Sequence, residues 1–91
     1  MDQRLKAIFD GMVQGVGFRF TVERISRQFA VKGYVRNLAN GKVELVAEGA
    51  EGELKNFLNA IREGSMSDYI RDVQVEWSES KSQFKQFEIT F

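Results

Sequence analysis

The hydrophobic period of this chain switches along its length between about 2 and about 3.6 residues, and the order of the switches limits the folds open to it. Leu5, Ala7 and Phe9 alternate with other residues over 4–10, the pattern of a strand with one buried face. Phe18, Val22, Ile25 and Phe29 then fall on one helical stripe, so a helix is expected over about 19–30, with Gly33 stopping the chain after it. Residues 33–38 and 42–48 are rich in β-formers and are joined through Asn40-Gly41, a strong hairpin signal, with Val43, Leu45 and Ala47 on one face. Leu54, Phe57, Leu58 and Ile61 mark a second helix over about 51–63 that ends near Gly64. Val73, Val75 and Trp77 alternate with Gln74, Glu76 and Ser78 in a fourth strand, and Ser78 to Gln83 reads as a loop. Phe87, Ile89 and Phe91 form a fifth strand.

No linker, repeat or low-complexity segment interrupts this order, so residues 1–91 are expected to form one domain. The order β-α-β-β-α-β plus a final strand is the ferredoxin-like pattern, an α+β sandwich with two helices on one face of a mostly antiparallel sheet. In such a split β-α-β unit the first two strands run parallel with another strand between them, and their C-terminal ends lie along the same edge. The loop after the first strand and Asn37 at the end of the second are therefore expected to face one pocket.

Composition removes several kinds of chemistry. The chain has no cysteine, which excludes disulfides, thiol nucleophiles and thiolate metal sites, and no histidine, the commonest general base. Thirteen basic residues balance thirteen acidic ones, so no overall field draws the chain to nucleic acid or anionic lipid, and any affinity for anions must be local. No apolar run approaches the ~20 residues of a membrane span, and the N-terminus lacks a secretory apolar stretch. A soluble, cytoplasmic protein is expected.

The local feature is Gly11-Met12-Val13-Gln14-Gly15-Val16-Gly17-Phe18-Arg19, a glycine loop that runs straight into a helical pattern. Glycines permit positive φ and let amide N–H groups turn inward, while a helix start adds unpaired amides and the positive end of the macrodipole. Arg19 adds a planar, permanently charged fork suited to two phosphoryl oxygens. The loop lacks the Lys-Ser/Thr of a P-loop, and Arg-Phe stands where a dinucleotide fingerprint wants its third glycine. A plain tight connection with a solvated arginine is equally compatible with these residues alone.

That loop is similar to the first signature of the acylphosphatase family, and Gly33-Tyr34-Val35-Arg36-Asn37, with Gly41, Val43 and Glu48-Gly49, resembles the second. The similarity covers essentially the whole chain. Departures are Phe9 in place of a smaller aliphatic residue, Met12 in place of a basic or polar one, and a Gly64-Ser65-Met66-Ser67 segment without proline. The resemblance implies hydrolysis of acyl phosphates to carboxylate and inorganic phosphate by a monomer without cofactor or metal. It assigns the phosphate to the backbone of Gln14, Gly15, Val16, Gly17, Phe18 and Arg19 and to the Arg19 side chain, and the attacking water to Asn37.

The remaining polar and aromatic residues invite plainer readings. Phe20 could rim the pocket and touch the acyl group, or pack on the sheet edge. Glu48, Glu51, Glu53, Asp68 and Asp72 read as a solvated helix start and loop rather than a metal site. Arg36 and Lys42 would raise the potential near the pocket. Two other functions fit the fold: a non-catalytic phosphate or carbamoyl-phosphate binding module, and a ferredoxin-like RNA-binding domain. For RNA only Tyr34 is a plausible aromatic on the open sheet face, and the charge balance argues against it.

Overall fold

Residues 2–91 are described by a computed structural model, and in it each switch of period becomes an element. Strand β1 is Asp2–Gly11, helix α1 Phe18–Ser26, β2 Val31–Asn37, β3 Val43–Ala50, α2 Glu51–Glu63, β4 Ile70–Glu79 and β5 Phe87–Thr90, with a 3₁₀ turn at Ser67–Tyr69. The strands form one sheet in the order β4-β1-β3-β2-β5. All neighbours are antiparallel except β2 and β5, which run parallel.

Alternation decides which face is covered. Leu5, Ala7 and Phe9 of β1, Val43, Leu45 and Ala47 of β3, and Val31 and Val35 of β2 form one core with Phe18 and Val22 of α1 and Leu54, Phe57 and Ile61 of α2. Burying each large member of this set stabilises the fold by about 1.5–3 kcal/mol. Edge-to-face aromatic pairs join the layers: Phe9 with Phe18 at 5.1 Å and Phe57 with Phe87 at 5.5 Å. Phe9, the larger residue at its position, thus packs on the first residue of α1 and braces the loop between them.

Expectations for the end of α1, for Gly33 and for Phe91 need correction. Helix α1 ends at Ser26 rather than near residue 30, because the N–H groups of Arg27, Gln28 and Phe29 bond three residues back and tighten the chain into 3₁₀-like turns. Phe29 still reaches the core, 6.0 Å from Phe57. Gly33 is not a helix stop but lies inside β2 at φ +153°, where a Cβ would stand 1.9 Å from the Val46 carbonyl oxygen of β3. Close approach of that neighbouring backbone requires glycine there. Phe91 lies beyond β5 and is 92% exposed.

The opposite sheet face is a polar lattice, not open surface. Glu44 and Glu48 of β3 point there and are buried. Glu44 accepts hydrogen bonds from the Tyr34 hydroxyl at 2.9 Å and Arg36 Nε at 2.7 Å, and pairs with Lys6 at 3.7 Å. Glu48 accepts from the backbone N–H groups of Lys81 at 2.7 Å and Gln83 at 3.3 Å, and from Arg4 at 3.2 Å. It thereby anchors the connection from β4 on one edge to β5 on the other, and is a buried, bonded carboxylate rather than the solvated acid expected from sequence. Tyr34 does lie on this face, but its hydroxyl is bonded and its ring packs edge-on to Phe84 of that connection.

Candidate active site

The sheet register brings two distant segments to one end. Val43 stands opposite Phe9 of β1 on one side and Asn37 of β2 on the other. The ends of β1 and β2 are therefore level and two interstrand steps apart, about 10 Å. The loop that leaves β1 and the last residue of β2 share a pocket of about 160 Å³, lined by Val13, Gly15, Gly17, Phe18, Arg19, Phe20 and Asn37.

The backbone of the loop is set by its glycines. Gly15 and Gly17 have φ of +77° and +80°, while Val16 between them is not among the positive-φ residues. Such alternation in the sign of φ forms the concave amide arrangement that binds anions. Gly17 is also the residue from which α1 starts, and Thr21 bonds back to its carbonyl with both its N–H, at 3.1 Å, and its hydroxyl, at 3.0 Å. Among the described residues, the amides of Gln14 through Phe20 donate to no acceptor in the chain; Thr21 is the first residue of the helix whose N–H is bonded. A helix start leaves its first amides free in this way. No acidic residue occupies the first turn of α1 to compete for them.

Arg19 lines the pocket and has no carboxylate partner among the described residues, in contrast to Arg4, Arg36 and Arg71, which pair with Glu48, Glu44 and Asp10. Its guanidinium carbon lies 4.8 Å above the Phe91 ring. Asn37 is exposed, and its carboxamide makes no hydrogen bond among the described residues. The local role that a strand-end asparagine can play falls instead to Asn40, whose Oδ1 accepts the Lys42 N–H at 3.0 Å in the hairpin turn. Phe20 borders the pocket and is 63% exposed, so it rims the site rather than packing on the sheet.

Of the residues expected to bind phosphate, Gly15, Gly17, Phe18 and Arg19 line the pocket, as does Asn37, expected to hold the water, and Gln14 and Val16 do not. Val16 packs against the core. Gln14 has a different place: its Nε2 donates to the carbonyls of Leu38 at 2.8 Å and Lys42 at 2.9 Å. The side chain staples the glycine loop to the hairpin immediately after Asn37, a contact that no local spacing announces. Arg36 and Lys42 contribute unequally to the field, because the Arg36 charge is tied to Glu44, whereas Lys42 helps to hold the Asp10 carboxyl low behind the larger effect of Arg71.

A hollow of about 260 Å³ at the far end of the sheet, beside Glu48, Gly49 and Phe84, is larger. Its buried charge is already engaged. Burial would raise the Glu48 carboxyl, but hydrogen bonds from the Lys81 amide, Ser80, the Gln83 amide and Arg4 together hold it below its usual value. Available donors, rather than volume, single out the smaller pocket.

Comparison with known proteins agrees in sequence and in fold. The family described as Acylphosphatase matches residues 5–89. An acylphosphatase of Bacillus licheniformis is 43% identical over 86 residues, covering 94% of this chain and 96% of that protein. One from Archaeoglobus fulgidus is 38% identical over 96% of this chain and 97% of its own length. The crystal structure of acylphosphatase from Bacillus subtilis superposes with a TM-score of 0.90 at 36% identity, covering 98% of this chain and 99% of that one. A structure of full-length HypF in a phosphate- and nucleotide-bound form has a segment similar to the whole chain, with a TM-score of 0.85 at 31% identity, but the match spans only 12% of that protein.

Proposed function

The chain belongs to the acylphosphatase family and hydrolyses acyl phosphates, and from that premise we propose that the glycine loop with Arg19 holds the phosphoryl group while Asn37 holds the attacking water. The observation that carries this assignment is the shared pocket, lined by Arg19, by Asn37 and by residues of the loop, whose amides, like the Arg19 guanidinium and the Asn37 carboxamide, have no hydrogen-bond or carboxylate partner among the described residues.

The chemistry suits such a sparse site. Water adds to phosphorus, the bond from phosphorus to the acyl oxygen breaks, and the leaving group departs as a carboxylate, which needs no general acid. A phosphoryl transition state spreads negative charge over its equatorial oxygens, and fixed donors stabilise it without covalent work. The amides of residues 14–19 and the Arg19 fork supply those donors, with the Gln14 side chain holding the loop against the hairpin. The Asn37 carboxamide offers an acceptor and a donor to align the water with the departing oxygen. A phosphate oxygen of the substrate takes the water's proton, so a chain without histidine needs no side-chain base.

Incubating the purified chain with acetyl phosphate and following loss of the anhydride across pH tests the scheme. Turnover that depends steeply on one enzyme carboxylate, and loses that dependence when the carboxylate is mutated, would rule out proton transfer to the substrate. Binding of inorganic phosphate without turnover would favour a non-catalytic phosphate-binding module instead. We further propose that residues 1–91 act as one domain, as a monomer and in the cytoplasm, without a nucleic-acid partner; sedimentation velocity and cell fractionation check the state and the location.

A further inference from the structure

Phe91 is almost wholly exposed yet lies over the one charged side chain of the pocket, and nothing in the core accounts for it. Its position follows from topology. β5 runs parallel to β2 with Thr90 level with Arg36, so the next residue of each strand, Phe91 and Asn37, arrives at the same end of the sheet. A third stretch of chain thus reaches the site.

The type of contact matters. Arg4 and Arg36 also lie near aromatic rings, at 5.5 and 5.7 Å, but each is held by a buried glutamate as well. Arg19 has the shorter ring distance, 4.8 Å, and among the described residues no acid within ion-pair reach. A carboxylate would orient the guanidinium but cancel its charge and use up its donors. A ring holds the guanidinium by its face and leaves the in-plane N–H fork free for oxygen atoms. Arginine side chains otherwise give up substantial rotamer freedom on binding, and fixing the group beforehand removes part of that loss.

We propose that Phe91 is a positioning residue that preorganises Arg19 for the phosphoryl group; this rests on the reading of Arg19 as the phosphate-binding arginine. The test compares Phe91→Leu and Phe91→Tyr for inhibition by inorganic phosphate, for KM and kcat with acetyl phosphate and for Tm, each also in an Arg19→Ala background. Phe91→Leu should weaken phosphate binding and raise KM by about two- to fivefold, the range for an exposed cation–π contact. Phe91→Tyr should match the wild type, neither should shift Tm, and the leucine effect should vanish without Arg19. Native phosphate affinity in Phe91→Leu, equal impairment in Phe91→Tyr, or an undiminished leucine effect in the Arg19→Ala background would overturn the proposal while leaving the role of Arg19 intact. Native affinity in Arg19→Ala alone would instead remove the site assignment, and this inference with it.

Discussion

The polar face of the sheet and its end use the same residue types for opposite purposes. On the polar face, Arg4 and Arg36 are paired, and Glu44 and Glu48 are buried with their oxygens occupied. At the end of the sheet, among the described residues, Arg19 has no acid, Asn37 has no hydrogen-bond partner, and the loop amides donate to no acceptor. A buried polar group without a partner is expensive, so satisfied networks hold structure together, whereas solvent-accessible unsatisfied donors remain free for a ligand. The contrast separates scaffold from site more reliably than charge or cavity size.

Arg19→Ala would break the contrast most severely. It removes a donor used in both ground and transition states, so kcat/KM for acetyl phosphate should fall by about 10²- to 10³-fold with a loss of phosphate affinity. Asn37→Ala should lower kcat by about 10²-fold with KM nearly unchanged, since water placement matters as attack begins. An unchanged kcat would take Asn37 out of the mechanism. Gln14→Ala should reduce kcat/KM by about tenfold through a loosened loop, because its two hydrogen bonds to the hairpin are lost; steady-state kinetics beside hydrogen exchange at residues 14–20 would detect both effects.

Glu48→Gln should leave the turnover of folded protein untouched but destabilise the fold by about 1–3 kcal/mol, seen as a lower Tm. The same residue predicts a pH dependence. Its folded-state value lies below the ordinary 4.5, so its contribution is present above that value and is lost as pH falls through the folded-state value. Chemical denaturation of wild type and Glu48→Gln between neutral pH and pH 3 should show the gap between them narrowing on the acid side. A constant gap would mean that the carboxylate charge contributes nothing to anchoring the β4–β5 connection.

Most of the fold was legible because it depends on neighbours in sequence. The alternation of Leu5, Ala7 and Phe9, the Asn40-Gly41 turn and the α2 stripe each carry their own instruction, and so does the alternating φ at Gly15 and Gly17. What escaped depends on partners far along the chain. Gly33 looks like a helix stop until the Val46 carbonyl is brought beside it, and Glu48 looks solvated until Lys81 and Gln83 fold over it. Nothing near Gln14 in sequence announces that its side chain bonds carbonyls 24 and 28 residues away. Phe91 continued the alternation of Phe87 and Ile89 in sequence, but the strand stops short of it.

Val43, flanked by Phe9 and Asn37, gives the pocket a property that side-chain packing cannot. Its opposite walls belong to rows of a single hydrogen-bonded lattice, so their separation is metered by peptide geometry, which hardly varies from one core sequence to another. Drift in hydrophobic residues can therefore accumulate while the gap stays constant, whereas a one-residue slip of β3 would misalign both walls at once.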